Sequence, residues 1–240
     1  LPISENYGDT ASAFSLEDQD AANDSRIDAI FDGSLTGEDD AEALIGSSSA
    51  DIIRAGGGDD TVSGGAGSDQ TWGGAGSDSV NGGSGDDTLG GGAGDDSLGA
   101  GDGDDVAYTG EGSDEVFGST GADQVFGGNG DDLLFGGNGD DTVFGGAGDD
   151  TIWGGAGDDE LYGGAGDDTY GFAAGFGDDQ VFGFTSAGDN TLNLSQLGLT
   201  RINDLTFTQQ GADLLIDTGE GTITLMSTSE ADIDASDFLF

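Results

Sequence analysis

The chain contains no cysteine, no histidine and no lysine, and these absences exclude several kinds of chemistry. Without cysteine there is neither a disulfide framework nor a thiolate metal site. Catalytic triads, zinc sites and Schiff bases also lose the side chains that they require. No G-x-S-x-G elbow and no Walker loop occurs. The sequence therefore predicts a protein that is not an enzyme.

Positive charge is almost missing as well. Three basic residues, Arg26, Arg54 and Arg201, stand against 50 acidic ones, and the formal net charge is −47. Such a surface offers nothing to nucleic-acid phosphates or to an anionic membrane. A bare charge of this size repels itself, so the chain either stays disordered or recruits cations.

Long apolar runs are absent too. No stretch is apolar enough to predict a transmembrane segment, and the start, Leu1-Pro2-Ile3-Ser4, lacks the regions of a signal peptide. The first residue is not Met, which leaves open whether the chain is processed or cut from a longer one.

Glycine is abundant, with 51 residues, and it recurs with a period of nine. Residues 37–171 divide into fifteen nonapeptides without an insertion, and the last thirteen follow the form G-G-x-G-x-D-x-U-x, where U is apolar. Gly145–Trp153, for example, reads GGAGDDTIW. Position four is Gly and position six is Asp in all thirteen, whereas the two leading units are degenerate, as end repeats often are. Regular repetition favours a folded solenoid over low-complexity disorder.

These nonapeptides resemble the RTX, or hemolysin-type calcium-binding, repeats of secreted Gram-negative proteins. The resemblance implies an all-β fold, a right-handed parallel β-roll with two nonapeptides per coil, in which each calcium ion lies between repeat n and repeat n+2. It also implies a secreted, extracellular or cell-surface protein exported by type I secretion. Its predicted partner is calcium, about a dozen ions.

The spacing has a physical reading of its own. Glycines allow positive φ angles in the six residues G-G-x-G-x-D, which bring carbonyl oxygens together, and calcium requires six to eight oxygen ligands. The three residues x-U-x then form a short strand with its middle side chain inward. The predicted carboxylate ligands are Asp51, Asp60, Asp69, Asp78, Asp87, Asp96, Asp105, Asp114, Asp123, Asp132, Asp141, Asp150, Asp159, Asp168 and Asp179. The turn carbonyls are expected near Gly58, Gly67, Gly76, Gly85, Gly94, Gly103, Gly112, Gly121, Gly130, Gly139, Gly148, Gly157 and Gly166.

The inward-facing residues at position eight form the predicted core. Most are aliphatic, and Thr71 and Ala107 are its weak points. They are Leu44, Ile53, Val62, Thr71, Val80, Leu89, Leu98, Ala107, Val116, Val125, Leu134, Val143, Ile152, Leu161 and Tyr170. Stacked aspartates without calcium would repel one another, so the sequence predicts an unfolded metal-free chain and a folded calcium-bound one, with about seven coils.

Two flanks adjoin the predicted roll of residues 37–182. Residues 183–240 predict an antiparallel β cap, and their last nine, from Asp232 to Phe240, resemble an uncleaved type I secretion signal; Phe238–Phe240 could equally complete a strand of the cap. Residues 1–36 predict an irregular N-terminal cap or a docking extension in preference to a helix over 15–22, for which Ser15 with Asp18 three residues later offers only a weak capping box.

Position nine carries aromatic residues in seven successive repeats. Alternate repeats lie on opposite faces, so the sequence predicts two outward ladders. One contains Tyr108, Phe126, Phe144 and Tyr162, and the other contains Phe117, Phe135 and Trp153. They either cover the sheets from water or mark a contact between proteins.

Two functions fit these observations. The first is a structural, self-assembling extracellular component: a surface layer, matrix or filament. The alternative is the calcium-dependent C-terminal folding and secretion module of a larger secreted enzyme or toxin. Acid pairs could hydrolyse glycosides in principle. Here nearly every such pair falls in a repeat turn, where calcium is the better ligand.

Overall fold

The computed structural model describes residues 33–184 and 189–240, together with the backbone of two short strands at Phe14–Ser15 and Ile30–Phe31. These residues form an all-β solenoid of about nine turns, with antiparallel strands at its C-terminal end. The prediction of about seven coils was too low, because strands on both sides of the fifteen nonapeptides also join the two sheets. Ser15, where a helix over 15–22 would begin, lies in the short strand Phe14–Ser15, whereas residues 16–22 and most of the predicted N-terminal segment 1–36 lie outside the described residues.

The strands alternate along the chain between two sheets. In chain order they are β1 Phe14–Ser15, β2 Ile30–Phe31, β3 Ser34–Thr36, β4 Ala43–Gly46, β5 Ile52–Gly57, β6 Thr61–Ala66, β7 Gln70–Ala75, β8 Ser79–Ser84, β9 Thr88–Ala93, β10 Ser97–Asp102, β11 Val106–Glu111, β12 Glu115–Thr120, β13 Gln124–Asn129, β14 Leu133–Asn138, β15 Thr142–Ala147, β16 Thr151–Ala156, β17 Glu160–Ala165, β18 Thr169–Gly171, β19 Asp178–Phe182, β20 Thr191–Asn193, β21 Thr206–Gln210, β22 Asp213–Asp217, β23 Thr222–Leu225 and β24 Phe238–Leu239. Short 3-10 turns occupy Ser195–Leu197, Ile202–Asp204, Glu230–Asp232 and Ala235–Asp237.

Strands two apart in sequence are neighbours in one sheet and run parallel. The first sheet runs β1-β3-β5 through β19 and then β23-β22-β21, and the second runs β2-β4-β6 through β20 and then β24. Leu98 pairs with Val80 on one side and with Val116 on the other, each eighteen residues away. The coil of two nonapeptides predicted from the repeat is therefore confirmed.

The strands are longer than the three residues predicted. Each full repeat contributes six, x-U-x-G-G-x, such as Thr151–Ala156. The glycine at position two has a positive φ, 121° at Gly146, yet it still pairs with Gly128 and Gly164 in the coils on either side. Because this pairing continues past the first two glycines, the turn shrinks to three residues.

The core is a column of position-eight side chains between the two sheets. All the predicted inward residues are buried, and Thr71 is buried among them with its hydroxyl unpartnered. Each coil has only two such side chains, so every one packs against those of the coils above and below it.

Truncating a central core residue is expected to destabilise the roll. Leu134→Ala removes a fully buried side chain from a column that cannot collapse sideways, so the loss is expected to be about 2–5 kcal/mol. The exposed Gln124→Ala, on the adjacent β13, is the matched control and should change stability by less than about 0.5 kcal/mol. Denaturant unfolding at saturating calcium measures both, and equal effects would contradict a core role for Leu134.

The C-terminal segment continues the sheets as well as capping them. Strands β21, β22 and β23 form the predicted antiparallel meander. In addition, β23 pairs parallel with β19, and β24 pairs parallel with β20. Phe238 is buried, and β24 is the edge strand of the second sheet. Within the described residues, no helix has the length and apolarity needed to cross a membrane.

Candidate calcium sites

The position-six aspartates line the two edges of the roll, where the chain turns from one sheet to the other. Each is at most 3% exposed. One carboxylate oxygen, Oδ1, accepts the main-chain N–H of the equivalent residue in the preceding coil. Asp132 accepts from Asp114 at 2.9 Å, and Asp150 accepts from Asp132 at 3.0 Å. These bonds link successive coils into continuous columns.

There are two such columns, one on each edge. Column I contains Asp51, Asp69, Asp87, Asp105, Asp123, Asp141, Asp159 and Asp179. Column II contains Glu42, Asp60, Asp78, Asp96, Asp114, Asp132, Asp150, Asp168 and finally Asn190. The structure thus brings the predicted carboxylates together in the n to n+2 relation.

The second carboxylate oxygen, Oδ2, has no protein partner in most of these residues. It is buried without a hydrogen bond in every position-six aspartate from Asp60 to Asp168, and in Asp179. Burying an unpaired carboxylate oxygen is costly unless a cation or a proton compensates it.

Burial raises the pKa values of these carboxyl groups, and neighbouring carboxylates raise them further in many cases. The pKa is raised to about 7 in Asp96, Asp141 and Asp150, to about 6 in Asp87, Asp123, Asp132 and Asp159, and to about 8 in Asp179. The main-chain N–H bond to each of these groups opposes the rise but does not cancel it.

In most repeats a glycine at position one leaves room beside the unpartnered oxygen. A Cβ at Gly145 would stand only 2.2 Å from Oδ2 of Asp150 and 2.6 Å from the carbonyl oxygen of Gly163. Likewise, a Cβ at Gly136 would stand 2.4 Å from Oδ2 of Asp141 and 2.5 Å from the carbonyl oxygen of Gly154. A carboxylate and a carbonyl oxygen therefore approach one small space in successive repeats.

The position-four glycines stack their carbonyls along the same edges. All thirteen have φ between 106° and 144°. The carbonyl oxygen of Gly130 lies 2.1 Å from where a Cβ of Gly148 would stand in the next coil. These are the turn carbonyls that the sequence predicted near the metal.

This donor set suits calcium. Among the described residues, no three acidic side chains converge on one point. A cation at the edge would therefore meet two successive aspartates and several main-chain carbonyls, an all-oxygen environment of the kind that calcium prefers. The buried unpartnered oxygens fit a bound cation at these edges.

A side chain at position four is expected to damage the roll. Gly148→Ala places a Cβ against the Gly130 carbonyl at a φ of 134°. Gly33→Ala is the matched control, because Gly33 has nearly the same φ, 133°, and nothing within 4 Å of its missing Cβ. The Gly33→Ala control should lose only the folding stability that a positive φ costs alanine, about 1–3 kcal/mol, and Gly148→Ala should lose more stability because of the added steric clash. Equal unfolding midpoints in calcium would contradict the steric argument.

A second set of carboxylates, at position five, was not assigned a role from the sequence. Nine of the thirteen repeats carry Asp there, and each of the nine accepts the main-chain N–H of position five in the following coil. Asp149, for example, accepts from Asp167 at 2.8 Å. The frequent Asp-Asp pair at positions five and six was the sequence signal that could have indicated this role. These exposed residues brace the turns outside the buried columns.

Several repeats depart from the pattern at the edges, and two of these departures add hydrogen bonds. Thr109 stands where most repeats have Gly, and its hydroxyl donates to the carbonyl of Gly127. Asp51 differs from the other predicted ligands because Ser47 donates both its N–H and its hydroxyl to Oδ2 of Asp51.

The match to a known repeat family agrees with this geometry. The profile of the RTX calcium-binding nonapeptide repeat (4 copies) matches residues 36–70, 72–107, 99–134, 108–143 and 135–170. No curated protein matches the chain. Among solved structures, it is similar to the AlgE6R3 subunit of the Azotobacter vinelandii mannuronan C5-epimerase, at 26% identity and a TM-score of 0.40, over 50% of this chain and 81% of that one. It is also similar to the extracellular lipase LipA of Serratia marcescens, at 22% identity and a TM-score of 0.32, over 83% of this chain and 40% of that one. Since the matched repeats cover more than half of its 240 residues, the chain belongs to the RTX calcium-binding nonapeptide repeat family.

Proposed function

We propose that the protein is a secreted structural component whose roll folds when calcium loads between its turns, and which then assembles with copies of itself outside the cell. The position-six aspartates from Asp60 to Asp179 would hold the ions, about a dozen, with carbonyls of the turns near position four. Calcium supplies positive charge and an all-oxygen coordination sphere. The aspartates supply the paired carboxylates, and the positive-φ glycines keep the carbonyls within reach.

The observation that carries the assembly proposal is the pair of aromatic ladders on the outer faces. On the first sheet, Tyr108, Phe126, Phe144 and Tyr162 stack with ring centroids 4.5–4.9 Å apart, and Phe182 continues the stack at 4.3 Å. The second sheet carries Phe117, Phe135 and Trp153, with centroids 5.0 and 6.4 Å apart.

Because each ring covers the face of the next, the ladders turn ring edges outward as narrow apolar stripes. The first ring of each ladder is the most exposed: Tyr108 is 48% exposed and Phe117 is 40% exposed. Stripes of this kind on a highly charged surface are typical of protein contacts. They lie on opposite faces, so one molecule can touch two neighbours, which leads to an extended filament or layer.

The dependence of folding on calcium would also determine where the chain folds. Extracellular modules bind calcium at about 10⁻⁴–10⁻³ M. In a Gram-negative cytosol the chain would remain unfolded and competent for type I secretion, and it would fold at the cell surface or beyond. The last nine residues would act as the signal while unfolded, and Phe238–Leu239 would become the closing strand β24 after export.

Sedimentation velocity during a calcium titration tests the proposal. We expect folding and large assemblies to appear together as calcium rises from chelator to about 10 mM, above the range of extracellular sites. A double variant, Phe126→Ser and Phe144→Ser, should fold but assemble less. Gln124→Ser with Thr142→Ser, on the same two strands, is the matched control.

A chain that folds in calcium but stays monomeric at high concentration would contradict self-assembly. That result would favour the alternative, a calcium-dependent folding and secretion module of a larger secreted enzyme or toxin. Assembly that persists in the double aromatic variant would instead place the contact away from the ladders.

A further inference from the structure

The ends of the carboxylate columns differ from their middle, except at Asp179, the last aspartate of column I, whose Oδ2 is unpartnered like those before it. From Asp60 onward, each position-six aspartate keeps one buried oxygen without a protein partner. Asp51, the first aspartate of column I, does not: its Oδ1 accepts the N–H of Gly33 at 2.6 Å, and its Oδ2 accepts the N–H of Ser47 at 2.6 Å and the Ser47 hydroxyl at 2.9 Å. Asp51 is only 3% exposed, so these three donors replace the solvent that it has lost.

From this difference we infer that Asp51 is not a calcium ligand, and that Ser47 occupies the role that an ion has in the following coils. The inference rests on the calcium columns proposed above. A buried carboxylate with three donors is compensated by hydrogen bonds, and a cation competing for its Oδ2 would have to displace both Ser47 groups. The calcium-binding interval of column I then begins at Asp69.

The local sequence explains why this repeat differs. Gly46–Arg54 reads GSSSADIIR, with Ser47 at position two and Ser49 at position four, where most later repeats have glycine. Ser119 is also a position-two serine, but Oδ2 of Asp123 in its repeat has no hydrogen-bond partner. Ser47 at position two provides a hydroxyl that glycine lacks, and the N–H of Ser49 donates to that hydroxyl at 3.1 Å, which fixes its orientation. The degenerate repeat therefore forms a cap made of its own side chain and main chain.

Column II ends on the same principle. At its start the Glu42 carboxylate accepts the N–H of Glu38 with both oxygens, at 3.0 and 3.1 Å. At its far end Asn190, a neutral residue, accepts the N–H of Asp168 at 2.7 Å and donates to the carbonyl of Phe184 at 2.9 Å. An amide in this place completes the ladder without adding a buried negative charge.

In the first coil, hydrogen bonds therefore satisfy the buried carboxylate of Asp51 without calcium. The N–H of Asp51 donates to Oδ1 of Asp69 at 2.7 Å, so the capped carboxylate orients the first aspartate that needs an ion. Calcium is then required only where two unpartnered carboxylates face each other.

A paired substitution in one column tests the inference. Asp51→Asn and Asp123→Asn are the same change at the same repeat position, at the end and in the middle of column I. Bound calcium per chain is measured by equilibrium dialysis and elemental analysis. Asp51→Asn should bind as many ions as the unchanged protein, and Asp123→Asn should bind at least one fewer. An equal loss in both variants would overturn the inference while leaving the columns intact.

A gain-of-site variant keeps the test independent of folding defects. Ser47→Gly with Ser49→Gly restores glycine at positions two and four and removes the hydroxyl donor, so it should bind one additional ion. It should also need more calcium to reach half-maximal folding, because its first coil now requires an ion. No additional ion in this variant would overturn the inference. If Asp123→Asn binds as much calcium as the unchanged chain, the proposed columns themselves fail.

Discussion

Removing calcium with a chelator at about pH 8 is expected to unfold the roll completely and reversibly. Each column contains seven aspartates with a buried, unpartnered oxygen, which leaves six neighbouring pairs per column. At the coil spacing of about 5 Å and an effective dielectric of about 20, each ionised pair is repelled by about 3 kcal/mol. Summed over both columns, that repulsion exceeds the ~5–15 kcal/mol that holds a typical domain together.

Circular dichroism and size-exclusion chromatography measure this transition directly. The β signal should vanish in chelator, the chain should expand, and calcium should restore both. Magnesium is the informative control, because it demands octahedral geometry at about 2.0–2.1 Å and keeps its water, so it should restore little. Sodium chloride at matched ionic strength controls for general screening. A chain that kept its β signal in chelator would contradict calcium-dependent folding.

The repeating part of the fold could be predicted from the sequence because its information is local and periodic. A nine-residue period with one apolar residue per repeat determines the coil, the core column and the register of eighteen residues. Position-nine aromatics such as Phe126 and Phe144 stack as predicted, because strand neighbours in a parallel coil lie directly above one another. The structure adds Phe182 to the same ladder, although the repeat register slips before it.

Other features could not be predicted, for physical reasons. The period does not reveal that Gly146, at positive φ, still pairs with its neighbours, and so it underestimates strand length. The position-six pattern alone treats Asp51 like Asp123, because the donors to Oδ2 of Asp51 come from Ser47, which replaces the glycine of the motif at position two. Beyond Phe182 the repeat ends, and the pairing of β23 with β19 spans about forty residues without a periodic signal.

Lowering the pH is expected to restore folding in part when calcium is absent, because protonation neutralises the buried carboxylates. In the metal-free fold, burial first and neighbouring carboxylates second raise the pKa of Asp141 to about 7, and of Asp179 to about 8, from an ordinary value of 3.8. The folded form therefore binds protons more tightly than the unfolded form. Folding is favoured below about pH 4, and this contribution is lost as the pH rises through about 6 to 8. Each pKa unit corresponds to about 1.4 kcal/mol, so several such groups change the balance decisively.

In chelator, we therefore expect the β signal to be absent at about pH 8 and to return as the pH falls towards about 5. The triple variant Asp132→Asn, Asp141→Asn and Asp150→Asn imitates protonation at three buried sites, so its folding midpoint should move to higher pH. The matched control, Asp131→Asn, Asp140→Asn and Asp149→Asn, removes the same formal charge from the exposed neighbours and should move the midpoint much less. Equal shifts in the two triple variants would attribute the effect to net charge. A chain that stays unfolded at about pH 5 would show that protons cannot replace calcium. Neutralising the carboxylates would then be insufficient for folding, and the coordination of calcium between successive turns would be required as well.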